Sequence, residues 1–178
     1  MQNIFTGFLL VFINFDLNFG NMKIGLVPDF LGYIFMIKGL DEMARESLLF
    51  SKARPYANFM IYYTGIMYIL DFFGLSASYE TIVYILSVLS AVISLYISYN
   101  IMMGVLDIEK KYNIFLDGHE LKNAWVLKAV FSVLLYFLKN VEGPAVIIIF
   151  MSFIAAVYFL VVFYNSKKLY YSTVNKSY

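Results

Sequence analysis

An all-α bundle threaded through a lipid bilayer is the fold class that this sequence predicts, and three observations predict it. Hydrophobic residues make up 62% of the 178 positions and charged residues only 14%, with a mean hydropathy of +0.76. A soluble domain carries roughly 45–50% apolar and about 25% charged residues, so a water-soluble fold of this length has nowhere to hide so much apolar surface. Apolar stretches recur along the whole chain, and nearly all the basic residues fall into alternate interruptions between them. That alternation marks a polytopic membrane protein and orients it.

A bilayer core of about 30 Å takes roughly 20 helical residues. Six segments approach that length: residues 4–15, 28–44, 57–73, 82–106, 124–138 and 145–164. The first, second and fifth are short, which calls for local thinning, snorkelling ends or incomplete crossings, so four crossings with re-entrant pieces stay open beside six. Residues 1–171 form one integral membrane domain on this reading, with 172–178 as a cytoplasmic tail. The first segment is read as a retained span, because Met1–Asn3 carries no base and the apolar run leads into Asp16 and Asn18 without a small-residue cleavage site.

Counting bases gives the orientation. Lys38, Arg45, Lys52 and Arg54 lie at or after the second segment, Lys110, Lys111, Lys122 and Lys128 around the fourth-to-fifth connection, and Lys167, Lys168 and Lys176 after the sixth. Only Lys23 and Lys139 fall on the opposite side. Both termini are therefore expected in the cytoplasm. The use of Phe, Ile, Tyr, Asn and Lys resembles that of an AT-rich genome and suggests a bacterial cytoplasmic membrane.

The interruptions have characters of their own. In Ile13–Phe19 and again in Met22–Leu26, apolar and polar residues alternate around Gly20-Asn21, a hairpin signal. An extended or β-hairpin outer segment is expected there, with Asn14, Asp16 and Asn18 on its polar face; it serves either as an amphipathic cap on the bundle or as a lid and binding surface. Pro28-Asp29 suits the first turn of a helix, and an Asp29 set below the headgroups is a functional candidate, since an intramembrane carboxylate is rarely idle. Asp16 and Asp29 together are the expected ligand-binding pair. After Gly39, the residues Leu40, Met43, Ala44 and Leu48 recur at helical spacing opposite Asp41, Glu42, Arg45 and Glu46. The second helix is expected to emerge along the interface, with Asp41 pairing with Arg45 and Leu40, Met43 and Leu48 forming a docking face.

Further along, Asp117-Gly-His-Glu120 has the spacing of a capping box, which starts the fifth helix ahead of the membrane with Trp125 at headgroup level. Ser87, Ser90, Ala91, Ser94 and Ser98 share one stripe of the fourth segment, either for close packing or as a polar conduit. Lys38 and Lys128 are expected to snorkel to the cytoplasmic face, and Asp71 to stand at the outer mouth of the third segment. Tyr62, Tyr63, Tyr68, Tyr84, Tyr96 and Tyr99 form aromatic belts or line a cavity. The three span–turn–span hairpins hint at internal repetition, of the kind found in transporters.

Missing chemistry narrows the function. There is no cysteine, and the one histidine, His119, falls in a predicted cytoplasmic loop, so no zinc helix or Ser-His dyad can be assembled. No phosphate-binding glycine loop occurs. A net charge of +1 lacks the basic face that nucleic acid requires. The expectation is a non-enzyme without cofactor or metal.

At Leu26-Val-Pro-Asp-Phe-Leu-Gly-Tyr33, then Gly39-Leu40, Lys52-Ala-Arg-Pro55 and Asp107-Ile-Glu109 followed by Leu121 and Trp125, the chain resembles an uncharacterised group of small polytopic membrane proteins from clostridia and related low-GC Gram-positive bacteria. That resemblance implies no particular activity. In size and span number the chain is also similar to the substrate-binding subunits of energy-coupling-factor vitamin importers, without the Ala-x-x-x-Ala pattern of their first helix. Two functions are expected in order: a scaffold, regulatory or accessory subunit acting through protein partners, then a solute-binding or transport subunit.

Overall fold

A run of apolar residues with no charge to solvate forms a helix in lipid, because the backbone must then bond to itself. The computed structural model describes residues 1–12, 16–19, 22–25, 27–138 and 144–174, and within them six α-helices carry almost the whole chain. These are α1 (Gln2–Phe12), α2 (Asp29–Met43), α3 (Leu48–Phe72), α4 (Glu80–Tyr112), α5 (Gly118–Leu138) and α6 (Pro144–Val174), with a 3-10 turn at Leu75–Tyr79 before α4. Each helix packs against the next, and α6 returns to α1, so the six close into a ring. The core runs through its middle, from Ile4, Phe8, Met36 and Leu40 to Phe50, Ile101, Phe159 and Phe163.

Three helices are long and apolar enough to cross a membrane: α4 over Thr81–Tyr112, all of α5, and α6 over Val146–Thr173. Their flanks bear exposed Ile85, Val92, Val130, Ile147, Phe150 and Val161, a surface that water would not tolerate but acyl chains accept. The chain is a membrane protein. Of the other helices, α3 is long enough, but its tyrosines, Asn58 and Thr64 dilute its hydropathy. The 11 residues of α1 and 15 of α2 span only about 16 and 22 Å at 1.5 Å per residue. They form a close antiparallel pair instead. A Cβ on Gly7 would lie 2.7 Å from the Gly32 carbonyl oxygen, and one on Gly39 would lie 2.5 Å from the Ile4 nitrogen, so backbone meets backbone along this seam.

Between α1 and α2, the strands β1 (Asp16–Phe19) and β2 (Met22–Gly25) run antiparallel, with Asp16 opposite Gly25 and Phe19 opposite Met22. The Gly20-Asn21 turn expected there lies outside the described residues, as do residues 175–178 of the expected tail. Helix α6 continues to Val174, past the start of that tail.

The basic interruptions gather at one end of the bundle, where contacts tie distant parts together. Lys167 Nζ donates to Gln2 Oε1 at 2.8 Å, Tyr112 donates to the Glu46 carboxylate at 2.9 Å, and Lys111 Nζ reaches the Glu46 carbonyl at 3.2 Å. Two local expectations change here. Asp41 pairs with Arg54 of α3 rather than with Arg45, because α2 stops at Met43 and a new helix begins at Leu48, capped by the Ser47 hydroxyl. Nor does Asp117-Gly-His-Glu120 make a capping box. Asp117 takes a left-handed backbone (φ 59°), Glu120 accepts from the Tyr158 hydroxyl, and Glu109 from the end of α4 caps α5 by accepting from the amides of Leu116 and Gly118 at 2.6 and 2.9 Å.

Orientation has a direct test, since the chain contains no cysteine. His119→Cys sits at the basic end and Leu75→Cys at the other. In intact cells a membrane-impermeant maleimide is expected to label the second and spare the first; the reverse pattern would invert the molecule.

Candidate functional site

Four helices frame a cavity of about 340 Å³ at the end of the bundle away from the basic residues, with Val11 of α1 and Val27-Pro28 ahead of α2 in its wall. From α2 come Asp29 and Tyr33, from α3 Met60, Tyr63, Thr64, Met67, Tyr68 and Asp71, and from α4 Ser90, Ala91 and Ser94. Their spacing explains the convergence. Met60, Tyr63, Thr64, Met67, Tyr68 and Asp71 follow the three- and four-residue steps of one helical face, and Asp29 and Tyr33 are one turn apart on α2. The cavity therefore runs from Asp71, next to the last residue of α3, to Met60, about 16 Å further along that helix at 1.5 Å per residue.

The serine stripe of α4 supplies its back wall. Tyr33 and Tyr63 line the cavity together with Ser94 and Ser90, the Tyr136 hydroxyl donates to the Ser87 carbonyl at 3.0 Å, and Trp125 Nε1 donates to Ser98 Oγ at 3.0 Å. The stripe thus receives aromatic side chains of α5, and at Ser90, Ala91 and Ser94 it faces the cavity. Of the tyrosines read as belt or lining, Tyr63 and Tyr68 line the cavity, whereas Tyr62, Tyr84, Tyr96 and Tyr99 are exposed.

Charge defines what such a cavity can hold. Among its described lining residues, two carry carboxylates and none carries a base. Acids in a wall of mixed polarity, with hydroxyls and aromatic faces beside them, suit a cation. The expected partner of Asp29 was Asp16; among the described residues, Asp71 lines the same cavity as Asp29. Asp16 and Asn18 lie on β1 with their side chains outside the described residues, and Asn14 lies outside them altogether.

The expected docking face is not a face. Leu40 is fully buried and Met43 is 3% exposed, both in the core, while Leu48 is 76% exposed. The amphipathic stretch covers the protein's own helices, because the chain turns between Met43 and Leu48 and sends the apolar residues of α2 inward.

Lys128 is the residue that sequence reasoning misplaced. It does not snorkel: it is buried, with its ammonium 4.0 Å from the centre of the Phe12 ring and 5.5 Å from that of Phe159. Phe12 ends α1, about 16 Å from the start of that helix, so the charge sits deep in the bundle. Lys167 is held in the same way at the basic end, over Phe5 and Tyr164 at 4.4 and 4.3 Å. Phe8, packed on Phe12, Phe159 and Phe163, fills the space between the two lysines. A charge at the centre of a span costs about 2.5–3.5 kcal/mol on insertion scales, and cation–π contacts return only part of that. Lys128→Met is expected to raise stability by about 2 kcal/mol, read as a higher melting temperature in detergent. A fall instead would show that a counter-charge holds the ammonium.

No family model, curated protein or solved structure matches this chain.

Proposed function

We propose that the protein is a solute-binding or transport subunit of a bacterial cytoplasmic membrane, taking a small cationic solute into the cavity between α2, α3 and α4. In this reading the basic end faces the cytoplasm, α3 crosses together with α4, α5 and α6, and α1 and α2 enter as a short pair whose extended outer segment, the hairpin of β1 and β2, covers the cavity side. The protein contributes binding rather than chemistry, and needs no cofactor or metal.

The observation that carries the proposal is that Asp29 and Asp71 line one cavity whose described lining holds no base. Its size falls within the range of small-molecule sites, about 300–1,000 Å³. The alternative, an accessory subunit acting through protein partners, loses two of its three contact residues to the core and keeps only the exposed Leu48.

The test is calorimetric titration of the protein in phosphatidylcholine nanodiscs with butylammonium and, as a neutral control, butanol. Butylammonium is expected to bind and butanol not to. The Asp29→Asn/Asp71→Asn double variant is expected to bind at least tenfold more weakly with its melting temperature unchanged. Equal binding of the cation by both proteins would remove the proposal.

A further inference from the structure

A second concavity adjoins the polar one. On the neighbouring face of α4, Tyr84, Val88, Val92 and Leu95 meet Ser132, Val133, Tyr136 and Phe137 of α5 around an apolar groove of about 270 Å³. Ala91 lines both spaces, so a single methyl side chain stands where they meet. On the groove side the Tyr136 hydroxyl donates to the Ser87 carbonyl, and on the cavity side Tyr63 shares the lining with Ser90 and Ser94, so the serine stripe lies between the two spaces. Val92 and Val133 are 59% and 46% exposed, which opens the groove to the lipid side of the bundle.

The two spaces differ sharply in chemistry. The cavity offers carboxylates and hydroxyls; the groove offers aliphatic and aromatic carbon. A ligand that fills both has a cationic head and an alkyl tail. A phospholipid does not fit this description, because its phosphate would lie among Asp29 and Asp71 with no base among the described lining residues to meet it. Resting on the cation-binding reading of the cavity, we propose that the solute is a single-chain amphiphile with an ammonium head and no phosphate, held with its head between α2, α3 and α4 and its chain in the α4–α5 groove. Such a molecule reaches the site sideways from the bilayer, past Val92 and Val133, rather than from water.

The groove supplies fit rather than hydrophobic drive, since lipid is as apolar as the groove. The test therefore compares ligands at equal mole fraction in the bilayer, set by their partition into empty phosphatidylcholine nanodiscs. The probes are butylammonium, decylammonium and decanol. Decylammonium is expected to bind at least tenfold more tightly than butylammonium, and decanol not to bind. Ser132→Leu, which fills the groove and leaves the cavity lining alone, is expected to reduce decylammonium to the affinity of butylammonium without changing the latter. If both amines bind alike, or if Ser132→Leu folds and spares decylammonium, the chain does not use the groove: the amphiphile proposal fails and the cation cavity stands. Should Ser132→Leu not fold, the chain-length comparison still decides. If neither amine binds, the cavity reading fails and takes this one with it.

Discussion

Gly39→Ala is expected to lower stability by about 3 kcal/mol, the upper end of the range for overpacking, and Gly32→Ala to do nearly as much. The added carbon at residue 39 meets the Ile4 nitrogen at 2.5 Å, and at residue 32 it meets the Gly7 carbonyl oxygen at 2.9 Å. Backbone atoms have no rotamer in which to escape, so α1 must move away from α2 and carry its phenylalanines with it. Gly65→Ala is the matched control. Residue 65 lies inside α3 with nothing within 4 Å of a new carbon, so the change is expected to be neutral or to gain up to about 1 kcal/mol from helix propensity. Melting temperatures by fluorescence-detected size exclusion would compare them. Equal losses at residues 39 and 65 would show that the α1–α2 seam is not the tight contact described.

Glu109→Ala is the second large effect, expected at about 3 kcal/mol. One carboxylate oxygen accepts from two backbone amides, Leu116 and Gly118, and a hydrogen bond to a charged group contributes about 1.5–3 kcal/mol. Glu109→Gln keeps a carbonyl oxygen in the same place and is expected to retain most of the stability. Gly118 shares the arrangement, because any side chain there would collide with the Glu109 carboxylate. Hydrogen exchange at Leu116 and Gly118 reports the cap directly: it quickens in Glu109→Ala and hardly changes in Glu109→Gln. Unchanged exchange in both would remove Glu109 from the junction.

How much of this was legible in the sequence depends on the range of the interaction. The apolar runs of α4, α5 and α6 were, because crossing a bilayer is a property of each segment by itself. Their flanking bases were too. Asp29 stood out for the same local reason, set against Pro28 at a helix start. Asp71 was placed at the mouth of its own helix but not in one cavity with Asp29, since nothing within α2 or α3 says which of their faces meet. Leu40 and Met43 show the same limit from another side: an apolar stripe announces that something covers it, not whether the cover is a partner or the chain itself. An apolar run that starts at residue 124 puts Lys128 near the surface; α5 begins at Gly118, which sinks the lysine almost two turns deeper. Glu109 escaped because its partners lie seven and nine residues ahead, beyond the reach of any local capping pattern.

The closing of the ring by α6 against α1 has a consequence for how the protein is made. Gln2 and Lys167 are bonded across 165 positions, and Phe8 finds Phe159 and Phe163 only when the last helix has left the ribosome. Until then α1 and α2, too short to anchor themselves, wait at the membrane with an uncovered row of aromatic rings. The final helix is the clasp, and a nascent chain stalled before it is the form that quality-control proteases and holding chaperones would recognise.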